Sequence, residues 1–123
     1  MFIPPGGVRL PKRKTDVTEE QPVYLRSEHL ILHPSLVKRV FGEEYSVAVV
    51  YYPDRRTLMI APISNELFLS LHKAQQYMLK QTARDREYAI ALHTILYDHD
   101  IDTTERYLPY EANEQLQILT VTL

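Results

Sequence analysis

Among its 123 residues the chain has no cysteine, no tryptophan and only three glycines. Without cysteine there is no disulfide framework, no thiolate nucleophile and no cysteine metal site, and nothing demands an oxidising compartment. Three glycines, two of them adjacent at Gly6-Gly7, supply neither a P-loop nor a dinucleotide fingerprint. No serine sits in G-x-S-x-G, and the H-E-x-x-H spacing is missing as well. Long apolar runs are also lacking. Val47 to Tyr52 is typical, far below the roughly 20 residues that cross a bilayer. Met1-Phe2-Ile3-Pro4-Pro5-Gly6-Gly7 has neither the charged start nor the continuous apolar middle of a secretory signal, so the expected location is the cytoplasm. Finally, neither sign of charge is in excess: 14 Lys and Arg against 16 Asp and Glu leave a net charge of -2. Non-specific nucleic-acid binding rests on many cations neutralising phosphates, so a chain of this balance binds DNA only through a local patch.

What is present is one domain's worth of chain, 45% hydrophobic, which buries a core without staples. It carries a weak internal duplication. Ile31 to Pro62 is echoed about sixty residues later by Ile90 to Leu123: His33 falls on His93, Leu36 on Leu96 and Phe41 on Ile101. After one extra residue in the second turn region, Leu58 falls on Leu119 and Ile60 on Val121. A period longer than one strand indicates a copied supersecondary unit.

Residues 1 to 22 hold four prolines, Gly6-Gly7 and no periodic apolar pattern, and read as an extended N-terminal arm. Val23 to His33 alternates and gives one or two short strands. Pro34 suits the first turn of a helix over Ser35 to Phe41, which Gly42 stops. Tyr45 to Tyr52 and Thr57 to Ile63 are β-branched and aromatic runs that form a hairpin about Pro53-Asp54-Arg55-Arg56, with a type I turn in a four-residue loop. Ser64-Asn65-Glu66 opens a single long helix over 65 to 81, with Leu67, Leu71, Ala74 and Met78 on its core face. The second unit then gives strand Tyr88 to Leu92, a short helix from Thr94 to His99, and strands Arg106 to Glu111 and Leu116 to Leu123. The expected fold is α+β. Two pseudo-repeats, about 23 to 63 and 87 to 123, form one compact β-rich domain, swapped-hairpin or barrel-like, with one long amphipathic helix between them.

Each unit reads strand, short helix, polar link and hairpin, and the stretch Leu32-His33-Pro34-Ser35-Leu36-Val37-Lys38-Arg39-Val40-Phe41-Gly42-Glu43-Glu44 carries the first part of that order. This pattern resembles the swapped-hairpin unit of the AbrB and MraZ families. The two-unit arrangement over about residues 23 to 123 is more similar to MraZ. The resemblance implies a DNA-binding transcriptional regulator. Such proteins contact DNA through an Asp-x-x-x-Arg motif just before the strand of each unit. The matching segments here, Ser27 to Leu30 and Arg86 to Ile90, lack it, while Asp102-Thr103-Thr104-Glu105-Arg106 has the letters at the wrong place, after the short helix.

The residues to test for nucleic acid are Arg9, Lys12, Arg13 and Lys14, the densest cationic cluster, together with Lys38, Arg39, Arg55 and Arg56. A solvated tail is the plainer account of that cluster. Asp98-His99-Asp100-Ile101-Asp102 opens like a calcium loop, but Thr103 and Pro109 stand where an EF-hand needs glycine and glutamate, so a polar turn is the simpler reading. His33 and His93 occupy equivalent strand-to-helix corners, and with Asp98, Asp100 and Asp102 they are the candidates for a metal-assisted enzyme. The main expectation is instead a non-enzymatic binding or regulatory module that self-associates, with no cofactor and no small-molecule ligand identified. An adaptor for other proteins is the alternative. Nine tyrosines suit surfaces where a ring is buried while its hydroxyl stays wet.

Overall fold

The computed structural model describes residues 17–81 and 86–123. The arm expected over 1 to 22 therefore lies mostly outside the described residues. Its last part makes a turn in which Gln21 N–H donates to Thr18 Oγ1, and Pro22 C=O then receives His33 N–H at 2.9 Å.

Strands β1 (Val23–Arg26) and β2 (His29–Leu32) form a hairpin. Its two-residue turn, Ser27-Glu28, has φ of 51° and 63° at successive positions, the left-handed pair that matches strand twist. Helix α1 (Pro34–Phe41) starts where the His33 ring Nδ1 accepts from Ser35 N–H at 3.1 Å, and ends at Gly42, whose φ is 70°. Proline at the first helical position lacks only an N–H that would have no helical partner, and Lys38 and Arg39 in the last turn suit the helix dipole. Leu36, Val37, Val40 and Phe41 are its buried face.

Strands β3 (Ser46–Tyr52) and β4 (Thr57–Pro62) form the second hairpin, closed by a 3-10 turn over Pro53–Arg55 and a left-handed Arg56. The remaining elements are α2 (Glu66–His72), β5 (Gln75–Met78), β6 (Lys80–Gln81), β7 (Tyr88–Ala91), α3 (His93–Asp98), β8 (Arg106–Tyr107), β9 (Tyr110–Asn113) and β10 (Ile118–Thr122).

Among the described residues, ten strands make two antiparallel sheets, in the orders β6-β7-β2-β1-β8 and β5-β3-β4-β10-β9. Two strand paths pass from one sheet to the other. One runs from β5 through Leu79 into β6, and Leu79 N–H bonds Tyr45 C=O at 2.9 Å. The other runs from β8 through Leu108 and Pro109 into β9, and Leu108 N–H bonds Val23 C=O at 3.1 Å. Proline, lacking an N–H, falls at the point where the path changes sheet.

The main core lies between the sheets. Leu25, Leu30, Leu32, Ile90 and Leu92 come from one, Val47, Val49, Leu58, Ile60, Leu119 and Val121 from the other, and α1 and α3 add Leu36, Phe41 and Leu96. A smaller core lies on the outside of the second sheet. There Ala48 and Ala61, directly opposite each other on β3 and β4, leave a hollow that receives Phe68 of α2.

The long helix expected over 65 to 81 is corrected by the structure: α2 stops at His72. Lys73 turns left-handed (φ 51°) with its N–H on Leu69 C=O, and Gln75–Met78 runs as a strand along β3, from Val49↔Gln75 to Ser46↔Met78. Pairing the otherwise free edge of β3 satisfies backbone groups that a continued helix would leave to solvent. The expected core face is corrected too. Phe68 is 2% exposed, whereas Leu67, Leu71 and Met78 are 69%, 68% and 53% exposed. The strand expected over Arg106 to Glu111 is interrupted at Leu108–Pro109.

Candidate functional site

The cations selected from the sequence do not converge. Arg9, Lys12, Arg13 and Lys14 lie outside the described residues. Lys38 and Arg39 are exposed on α1, where Arg39 Nη1 meets Glu114 Oε2 of the β9–β10 turn at 3.2 Å. Arg55 stacks over the Tyr52 ring at 5.2 Å. Arg56 lines a polar hollow of about 350 Å³ with Tyr51, His99, Asp100, Asp102 and Arg106.

The candidate metal ligands are dispersed in the same way. His33 caps α1 through Nδ1, which also lies 2.9 Å from Ser35 Oγ. His93 is the exposed first residue of α3 and makes no equivalent cap. Asp102 accepts from the backbone N–H and hydroxyl of Thr104 at 2.9 and 2.7 Å, and these bonds hold its carboxyl below the usual aspartate range. Arg106 Nη1 donates to the carbonyls of Asp102 and Thr104. Asp98 to Arg106 is therefore a self-bonded polar turn. Among the described residues no three His, Cys, Asp or Glu side chains stand close enough to hold an ion.

The best-formed hollow lies elsewhere, on the outer face of the first sheet. Side chains alternate along β7: Ile90 points into the core, while Ala89 and Ala91 face out opposite Ile31 and His29 of β2, and Ala89 also faces Lys80 of β6. Two successive alanines between rows of larger side chains leave a trough of about 590 Å³. Its floor is apolar, and Arg26, His29 and Lys80 stand at its walls with Met78 and Gln76.

Arg26 contacts the buried Glu87 through Nη2, while its Nη1 is shielded from water and meets no hydrogen-bond acceptor. His29 Nδ1 lies 2.7 Å from Ser27 C=O, so Nδ1 carries the hydrogen and Nε2 is the ring's remaining polar atom. The adjoining turn is tied to α3: Leu92 N–H donates to Glu28 C=O at 3.0 Å, and Tyr97 OH donates to the Glu28 carboxylate, which raises the Tyr97 pKa.

None of these residues was selected from the sequence. The signal was there in part, since Tyr88-Ala89-Ile90-Ala91 alternates large and small, but the opposing β2 and β6 rows are set by pairing. No protein-family model, curated protein or solved structure is significantly similar to this chain. Among the described residues, no helix is long and apolar enough to cross a membrane.

Proposed function

We propose that the chain is a duplicated swapped-hairpin module of the MraZ and AbrB kind, acting in the cytoplasm by binding rather than catalysis. The supporting observation is the register of the two central strand pairs. With His33 set equivalent to His93, Leu30 corresponds to Ile90, and these two residues face each other across β2 and β7. With Leu58 set equivalent to Leu119, Met59 corresponds to Thr120, and these face each other across β4 and β10. Both pairs are centred on equivalent residues, as a dyad through their midpoints requires.

Each hairpin also reaches the helix of the other unit. Glu114 of the second hairpin pairs with Arg39 of α1, and Tyr51 of the first packs its ring 4.7 Å from His99 at the end of α3. The two strand paths that change sheet then close the whole into a barrel.

Nucleic acid is the partner this reading implies. Within 17–81 and 86–123 there are nine Lys and Arg against fourteen Asp and Glu, so the positive charge falls to the segment with Arg9, Lys12, Arg13 and Lys14. Duplex DNA binding measured at 50 and 200 mM salt tests it. The expected result is affinity that drops with salt, with a log-log slope shallower by about 3 to 4 when these four residues become alanine. Absence of binding at the lower salt, or a slope unchanged by the substitutions, rules the reading out.

A second reading, a protein-binding or self-associating adaptor, is favoured by Leu67, Leu71 and Leu116. All three are well exposed, and Asn65 at the start of α2 bonds the Leu116 carbonyl at 3.3 Å. An apolar surface of this kind marks interaction sites. Light scattering on the Leu67→Glu, Leu71→Glu double variant separates the two: this reading expects a lower mass, with DNA affinity unaffected.

A further inference from the structure

The trough on the outer face of the first sheet has the attributes of a small-molecule site, and we infer that it binds a small organic anion: a carboxylate head on an apolar body. Its volume of about 590 Å³ lies within the range of ligand pockets, roughly 300 to 1,000 Å³. Ile31, Met78, Ala89 and Ala91 offer mainly apolar lining, so a bare inorganic anion would leave most of it unfilled.

The polar groups are few and placed on the walls. Arg26 and Lys80 are both cationic, and among the described residues the carboxylate bonded to Arg26 is that of Glu87, through Nη2. Arg26, His29 and Lys80 are the basic groups among the described residues that line the trough, and no carboxylate lines it with them, so an anion is the head-group it complements. Lys80, opposite Ala89 on β6, stands across β7 and β2 from Arg26 on β1, so the trough has a cation on each flank. The alanines are what make room, so the site is a consequence of β7 alternation and not of a loop.

Isothermal titration with sodium octanoate and octanamide, on the full chain at neutral pH and without nucleic acid, tests the inference. Octanoate is expected to bind saturably and about tenfold more tightly than octanamide, the margin of one charge-assisted contact. Ala91→Leu fills the trough from an outer face and is expected to abolish binding with an unchanged circular dichroism spectrum. Should that variant fold poorly, Lys80→Gln provides the second measurement: octanoate affinity is expected to fall about tenfold, with octanamide affinity unaltered. No saturable binding at millimolar octanoate, equal affinity for the amide, or full affinity in a folded Ala91→Leu would each overturn it. None of these results bears on the DNA reading, which is measured separately.

Discussion

At the scale of single residues, the shortage of glycine has a visible structural effect. Among the described residues, seven that are not glycine have positive φ: Ser27, Glu28, Arg56, Lys73, Arg86, Asp100 and Gln117. Left-handed backbone costs an L-residue roughly 1 to 2 kcal/mol, against roughly 0.5 to 1 kcal/mol of extra entropy for glycine. Lys73 holds the position after α2 that glycine favours, is exposed, and bonds through its backbone alone. Lys73→Gly is therefore expected to stabilise the protein by up to about 1 kcal/mol in urea unfolding.

The tyrosines give a second expectation. Burial pushes the Tyr24 hydroxyl up, with the negative charge of Glu105 adding to it, and burial does the same to Tyr77, with Asp98 adding. A neutral acid whose folded pKa exceeds its unfolded value keeps its proton in the native state after the unfolded chain has lost it. That contribution is complete below the unfolded value, about 10, and is lost as pH climbs through the folded one. Tm is expected to decline above about pH 10, and less steeply in Tyr24→Phe.

At the scale of elements, Phe68 is the buried anchor of α2, with Leu69 packed partly beside it and His72 bonded to the Tyr52 hydroxyl. Phe68 fills the hollow over Ala48 and Ala61, while Leu67 and Leu71 face solvent. Removing the ring leaves a cavity and is expected to cost about 3 to 5 kcal/mol, whereas Leu71→Ala should stay within about 0.5 kcal/mol. Chemical denaturation of the two variants checks which face is inward. A helix with Leu67 and Leu71 as its core face would reverse the order. The local signals of α1 were legible: Pro34, the amphipathic run and Gly42 all act within the helix. Those of α2 misled because Leu67, Leu71, Ala74 and Met78 keep helical spacing through a segment that pairs as a strand from Gln75. Spacing reports what a face could bury, and only the free edge of β3 decides what it does.

At the scale of the whole molecule, β10 is an interior strand of its sheet. It lies between β4 and β9, with Leu119 and Val121 fully buried. Its loss separates β9 from β4 and uncovers both neighbours. A chain ending at Leu116 is expected to show no cooperative thermal transition and strong dye binding, while a chain lacking only Leu123 keeps its transition.

What the sequence determined by itself is local: the hairpin of β3 and β4, and the short helix α1 with its proline start and glycine stop. Those follow from side-chain periodicity and from backbone preferences of neighbouring residues, which any stretch carries with it. What the tertiary structure decided is long-range. Lys73 turns so that Gln75–Met78 can pair with the edge of β3, and Ala89 and Ala91 form a trough only because pairing sets Ile31, His29 and Lys80 around them. Backbone hydrogen bonds between distant segments must be satisfied together, and no single segment records that requirement.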